Sequence, residues 1–205
     1  MGLPQTTSLL SLDDYLDFER REAVRHEYFD GLVYAMAGES LERSMLCFNL
    51  AAILGSQLMG TPCRGLSPNM KVLSGDYSPG QMRGLFSYPD VTVVCGEPKF
   101  HDERRDVLLN PTLIVEMLSP GTESFDRGEK FQRYRKHLDS LQDFVLVSSA
   151  YPLIQLFQRQ PNGFWLYSAA AEIDASMVLP SIGCEVPLAQ LYDRQIAPAA
   201  ESEQE

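Results

Sequence analysis

Apolar positions along this chain change period several times, and each change predicts an element. Leu9, Leu10, Leu12, Tyr15, Leu16 and Phe18 recur at helical spacing behind Thr7-Ser8, predicting a capped first helix that ends near Arg21. Tyr28-Phe29-Asp30-Gly31-Leu32-Val33-Tyr34 sets Asp-Gly between two apolar runs, the pattern of a two-residue hairpin turn. Ser40 opens a second helix with Leu41, Met45, Leu46, Leu50, Ile53, Leu54 and Leu58 on one face, and Gly60-Thr61-Pro62 ends it.

Beyond that helix the period shortens. Cys63 to Leu73 predicts one or two short strands around a Ser67-Pro68 break, and the Gly-rich stretch Ser74 to Ser87 predicts a loop. Tyr88-Pro89-Asp90-Val91-Thr92-Val93-Val94-Cys95 is too continuously apolar for a half-exposed strand, so an interior strand is expected. A polar loop from Gly96 to Asn110 carries Arg104 and Arg105. A second buried-strand pattern follows at Thr112-Leu113-Ile114-Val115-Glu116-Met117-Leu118. Ser119-Pro120-Gly121-Thr122 breaks it, and Asp126-Arg127-Gly128-Glu129 reads as a capping box for a helix to about His137, with Phe131, Tyr134 and Leu138 inward. Phe144–Val147, Leu153–Phe157 and Phe164–Tyr167 predict further strands, the last two joined by a Pro161-Asn162-Gly163 turn. A short strand near Met177–Leu179 and a short helix at Pro187–Leu191 complete the pattern. No repeat or internal linker occurs. The expected architecture is one α/β domain over residues 1–195, a mixed sheet flanked by helices with an N-terminal helix-hairpin-helix region, and an acidic, frayed tail over 196–205.

Composition changes this picture only in part. Twenty-eight acidic against seventeen basic residues give a formal charge of −11, which argues against a protein that coats phosphates non-specifically. The segment Lys99 to His137 departs from that trend, with eight bases against seven acids. Cys47, Cys63, Cys95 and Cys184 form no C-x-x-C pair, so neither a zinc site nor a thioredoxin-type motif is expected, and three sit among apolar neighbours as small hydrophobes. Met1 to Ser11 has neither a basic stretch nor a long apolar run, and no membrane-length apolar segment occurs. No signal peptide, no membrane partner and a reducing cytoplasmic location are therefore expected.

Two carboxylates stand where an apolar strand is unfavourable to them. Asp90 opens one buried run and Glu116 lies within another, and a buried carboxylate is costly unless paired, protonated or bound to a cation. Ends of adjacent strands would bring both around one Mg²⁺, which takes one or two carboxylates and completes its shell with waters and phosphate oxygens. Lys130, bordering the inward face of the next helix, is the candidate to hold an attacking water and offset growing negative charge. Other readings stand beside these. Asp90 can cap a turn, Glu116 can sit in a structural ion pair, Lys130 can pair with Asp126 at i, i+4, and Glu27 can be a surface strand residue. Arg127, Lys130, Arg133, Arg135 and Lys136 form either a solvated helix face or the phosphate-facing flank of a cleft. His26, His101 and His137 lack ligand spacing and read as surface or capping residues. Trp165 and its aromatic neighbours read as packing or a dimer contact.

Pro89-Asp90, then Val115-Glu116-Met117-Leu118-Ser119-Pro120-Gly121-Thr122, then Asp126-Arg127-Gly128-Glu129-Lys130 resembles the Uma-type family of "putative restriction endonucleases" within the PD-(D/E)XK nuclease superfamily. Tyr28–Val33 and the helix containing Asn49-Leu50 fit as well, so the likeness runs from about Leu9 to the Trp165 region. The resemblance implies a restriction endonuclease-like core, Asp90 and Glu116 as metal ligands, and Glu27 close to the site. The superfamily's lysine, usually two residues after the glutamate, falls on Leu118, and its role is expected to pass to Lys130. Arg43 stands where a histidine is expected, and Asn69 where an aspartate often occurs.

The resulting expectation is a Mg²⁺-dependent endodeoxyribonuclease, with Mn²⁺ as substitute. Asp90, Glu116, Lys130 and Glu27 would be catalytic, Arg127 and Arg133 substrate-binding, DNA the partner and a homodimer the assembly. The alternatives are a non-catalytic DNA-binding or protein-interaction module on the same fold, and a metal-dependent hydrolase of another phosphorylated substrate.

Overall fold

A computed structural model describes residues 9–36, 38 and 40–194. The tail expected over 196–205 and the Thr7-Ser8 cap lie outside the described residues. The first helix, α1 (Leu12–Glu19), is capped instead by Ser11, whose hydroxyl oxygen accepts the Asp14 N–H at 3.1 Å. Strands β1 (His26–Phe29) and β2 (Leu32–Ala35) form the expected hairpin, with Asp30 and Gly31 both at positive φ, as a type I′ turn requires. Helix α2 (Leu41–Leu58) begins at Ser40, whose side chain accepts the Arg43 N–H.

Among the described residues two multi-stranded sheets and a separate two-stranded one are present where a single sheet was expected. Strands β3 (Cys63–Leu66), β6 (Val91–Cys95), β8 (Leu113–Leu118), β9 (Asp143–Ser148), β10 (Ile154–Arg159) and β11 (Trp165–Ala170) make a six-stranded sheet in the order β11-β10-β9-β8-β6-β3. Only its β8–β9 pair is parallel. The smaller sheet has the order β2-β1-β5-β4-β7, adding β4 (Lys71–Ser74), β5 (Leu85–Ser87) and β7 (Val107–Leu108). The Ser74–Ser87 region is thus a loop only until Leu85. Its last three residues are apolar enough to be buried as β5 between β1 and β4. A separate hairpin, β12 (Ser176–Leu179) with β13 (Cys184–Pro187), leads into α5 (Leu188–Leu191).

The large sheet is covered on both faces, which explains its near-continuous apolar strands. Leu46, Leu50, Leu54 and Leu58 of α2 pack on one face against Val91, Val93, Val115 and Met117. Each such leucine, removed from water, stabilises the fold by about 2 kcal/mol. The other face is covered by the segment after β8, comprising α3 (Glu123–Phe125), a π-helical turn (Asp126–Lys130) and α4 (Phe131–His137). From it Phe131, Tyr134 and Leu138 meet Ile114, Leu118, Phe144 and Leu146, together with Val72 and Leu85 of the small sheet. Phe131 stacks on Phe144 at 4.8 Å and receives the edge of Trp165 at 5.2 Å, so Trp165 packs within the chain. The expected capping box is absent. Asp126 lies inside a continuous helical segment that starts at Glu123, and its carboxylate turns to Lys130.

Cys63 and Cys95, for which the sequence suggested no pairing, are joined by a disulfide. They are directly opposed residues of β3 and β6, a pairing fixed by strand register and invisible in their separation of 32 residues. Among the described residues no helix is long and apolar enough to cross a membrane.

Candidate active site

Alternation along β8 decides where Glu116 points. Val115 and Met117 face α2, so Glu116 shares the opposite face with Ile114 and Leu118, toward α4. Val91 pairs with Val115 in antiparallel register, which sets Asp90 one step further out and opposite Glu116. The Asp90 Oδ2 accepts the Met117 N–H at 2.7 Å, tying the start of β6 to β8. Strand pairing alone therefore brings the two carboxylates to neighbouring positions.

The helical segment supplies the cation. Lys130 Nζ lies 3.2 Å from Glu116 Oε1, 3.0 Å from Glu27 Oε1 on β1 and 3.2 Å from Asp126 Oδ1 one turn earlier. Tyr134, one turn later, donates its hydroxyl to Glu116 Oε1 at 3.0 Å and shares a 2.8 Å hydrogen bond with Ser87 of β5. Both sheets and the helix between them thus meet at Glu116. The π-helical turn carries Asp126 and Lys130 at its two ends, and such turns recur at functional sites.

Burial makes this group electrostatically tense. Glu116 is 2% exposed, Asp126 3%, Lys130 4% and Asp90 5%. Burial pushes the Glu116 carboxyl well above the usual range. The Lys130 ammonium opposes that shift, and the carboxylates of Asp126, Asp90 and Glu27 reinforce it. Burial alone would lower Lys130, yet Glu116 and Glu27, followed by Tyr134 and Asp126, hold it well above its ordinary value and therefore charged. The Tyr134 phenol is raised mainly by burial, next by Glu116, and remains a neutral donor. Four carboxylates (Glu27, Asp90, Glu116, Asp126) face two cations (Lys130, Arg43), so full ionisation leaves two negative charges in excess. Asp90 at the start of β6 and Glu116 within β8 are the oxygen donors that a divalent cation of the oxygen-preferring kind would use. Among the described residues no cluster of three or more His, Cys, Asp or Glu side chains is arranged to hold a metal, so any such ion would need waters or other oxygens to complete its shell.

Asp90, Glu116, Lys130 and Glu27 are brought together; Arg127 and Arg133 are not. Arg127 donates to Glu123 at 2.6 Å, and Arg133 forms a two-pronged pair with Asp30 while lying over the Phe29 ring at 4.7 Å. Arg133 borders a polar depression of about 530 Å³ lined by Arg83, Lys136 and His137 and also by Asp30, Asp76 and Glu129. An apolar cavity of about 510 Å³ between α2 and the β3–β6 edge, lined by Leu54, Leu58, Val91 and Val93, reaches Asp90 from the other side. His26, expected as a surface or capping residue, is buried. Its Nδ1 lies 3.0 Å from Glu19 Oε2, and Glu19 Oε1 accepts the Tyr88 hydroxyl at 2.6 Å, while the Tyr88 N–H donates to Glu27 at 3.3 Å. Asn69 is exposed in the turn between β3 and β4.

Sequence reasoning missed Arg43, Tyr134 and Ser87 as partners of the cluster, whereas the Lys130–Asp126 pair at i, i+4, one of its readings, is present. Asp126 and Tyr134 stand four residues either side of Lys130, a spacing that could have placed all three on one face. Arg43 reaches Asp90 from 47 positions away and left no local signal.

The same fold is seen in a crystal structure of "a putative nuclease belonging to DUF820" from Anabaena variabilis. The TM-score is 0.72 at 16% identity, over 91% of this chain and 99% of that one. The chain therefore shares the fold of that protein. Residues 12–189 match the Uma2 family, described as "Putative restriction endonuclease", and the chain belongs to that family. Two relatives from Synechocystis sp. are similar along most of their length. The one called "Uncharacterized protein slr1290" is 35% identical over 89% of this chain and 91% of its own, and "Uncharacterized protein sll1609" is 28% identical over 87% and 99%.

Proposed function

We propose that this protein is a metal-dependent endodeoxyribonuclease whose working residues are Asp90, Glu116, Lys130 and Glu27. The observation that carries this reading is the convergence of Lys130 on Glu116 and Glu27, beside an Asp90 that strand register sets opposite Glu116. Asp90 and Glu116 would hold Mg²⁺ or Mn²⁺, which when bound acidifies a water and stabilises charge on a phosphate oxygen.

The rest falls to the chain itself. Lys130, kept cationic by its carboxylates, orients the attacking water and offsets charge growing on the phosphate. Glu27 and Asp126 hold the ammonium in place from two directions, and Tyr134 fixes the Glu116 carboxylate by donating to Oε1. Arg133, Lys136 and Arg83 around the polar depression, with Arg127 nearby in the chain, would meet the DNA backbone as point contacts. A net charge of −11 accords with weak binding away from that depression.

A non-catalytic binding module on the same fold is favoured by one observation, the near-complete closure of the cluster and the seating of Arg43 on Asp90. Plasmid relaxation separates the two readings. Wild-type protein with Mg²⁺ or Mn²⁺ is expected to nick supercoiled DNA and Lys130→Ala is not. Equal inertness of both across metals and DNA forms would contradict the enzyme.

A further inference from the structure

Asp90 is not waiting for a cation; it already has one. Arg43 donates from Nε at 3.1 Å and from Nη2 at 2.7 Å to the same oxygen, Oδ1, and the Cys47 thiol approaches that oxygen at 3.7 Å. A carboxylate oxygen offers two lone pairs, so Arg43 alone saturates Oδ1. The other oxygen, Oδ2, takes the Met117 N–H. Most of the acceptor capacity of a 5% exposed carboxylate is therefore used before any metal arrives.

Arg43 is well placed to hold this position and also to leave it. It lies in the first turn of α2, where its N–H is fixed by the Ser40 cap, and its side chain keeps 24% exposure at the rim of the cluster. A guanidinium does not lose its proton in the physiological range, so its charge remains at the site unless the side chain moves. A dication at Asp90 would meet both the occupied Oδ1 and the repulsion of that fixed charge.

We propose that Arg43 is the resident counter-cation of Asp90, and that a divalent ion binds this chain only by displacing it. The inference rests on the reading of Asp90 and Glu116 as metal ligands. It adds that metal affinity in this protein is set by competition with its own side chain. Displaced, the guanidinium stays tethered at the rim, where its planar donors suit a phosphate.

Calorimetric titration of Mn²⁺ without DNA tests this on wild type, Arg43→Ala, Asp90→Asn and the double variant. Arg43→Ala is expected to bind Mn²⁺ tighter than wild type by about ten-fold or more, through removal of one fixed positive charge. The gain should vanish when Asp90→Asn is added. Arg43→Gln, which keeps hydrogen-bond donors but not the charge, should show the same gain and serves if Arg43→Ala fails to fold. Equal or weaker affinity in the Arg43 variants, with binding still dependent on Asp90, overturns the competition and leaves the metal site standing. Absence of Mn²⁺ binding in every variant overturns both.

Discussion

Lys130 and Glu116 face each other across 3.2 Å, both almost wholly removed from water. A pair so buried contributes little net stability over an apolar pair, but removing one partner leaves the other exposed to the full desolvation penalty. Lys130→Met should therefore destabilise the fold by about 3 kcal/mol. Adding Glu116→Gln should recover part of that loss, since the amide needs no counter-charge while Glu27 and Asp126 remain without theirs. Urea unfolding midpoints of the two singles and the double measure this coupling, and strictly additive changes would contradict it.

Asp106 predicts how stability responds to acid. Burial alone would raise its carboxyl, but hydrogen bonds from Arg20 and Lys71 hold it far below the ordinary carboxylate range. A depressed folded-state pKa stabilises the protein above the unfolded value, about 4 for Asp, and that contribution is lost as pH falls below it. The side chain is 30% exposed, so screening reduces the effect. Asp106→Asn should flatten the decline in unfolding midpoint as pH falls from about 5 to about 2 relative to wild type. An unchanged slope would mean that Arg20 and Lys71 do not stabilise the charged form.

The Cys63–Cys95 bond gives a separate prediction. It closes a 32-residue separation between an edge strand and the strand that Asp90 precedes, and a loop of that size is worth about 4 kcal/mol on the chain-entropy account. Mass spectrometry of the oxidised protein should show a chain lighter by two hydrogens, with Cys63 and Cys95 in one linked peptide. A reductant, or Cys63→Ser with Cys95→Ser, should lower the unfolding midpoint without altering which residues surround Lys130.

Much of this architecture is written locally. The helix of Leu46, Leu50, Leu54 and Leu58, the Asp30-Gly31 turn and the buried runs at Val91–Cys95 and Leu113–Leu118 each follow from period and turn chemistry. So does the inward face of Phe131 and Tyr134. What escaped is non-local. Leu85–Ser87 becomes a strand only because β1 and β4 lie on either side, Cys63 meets Cys95 only through register, and His26 is buried against Glu19 and the Phe18 ring. In the site, Glu116 was conspicuous because an acid inside a strand conflicts with its surroundings. Arg43 was not, because a cation early in a helix conflicts with nothing until Asp90 is folded against it.

The central claim is that Asp90 and Lys130 act as one site, and single-turnover cleavage of a labelled duplex with Mn²⁺ tests it most directly. Asp90→Asn and Lys130→Met should each slow cleavage by about a hundred-fold or more. The double variant should be no slower than the worse single, because residues that work as a unit lose their contribution once. Single variants within a few-fold of wild type, or losses that multiply in the double, would contradict the account.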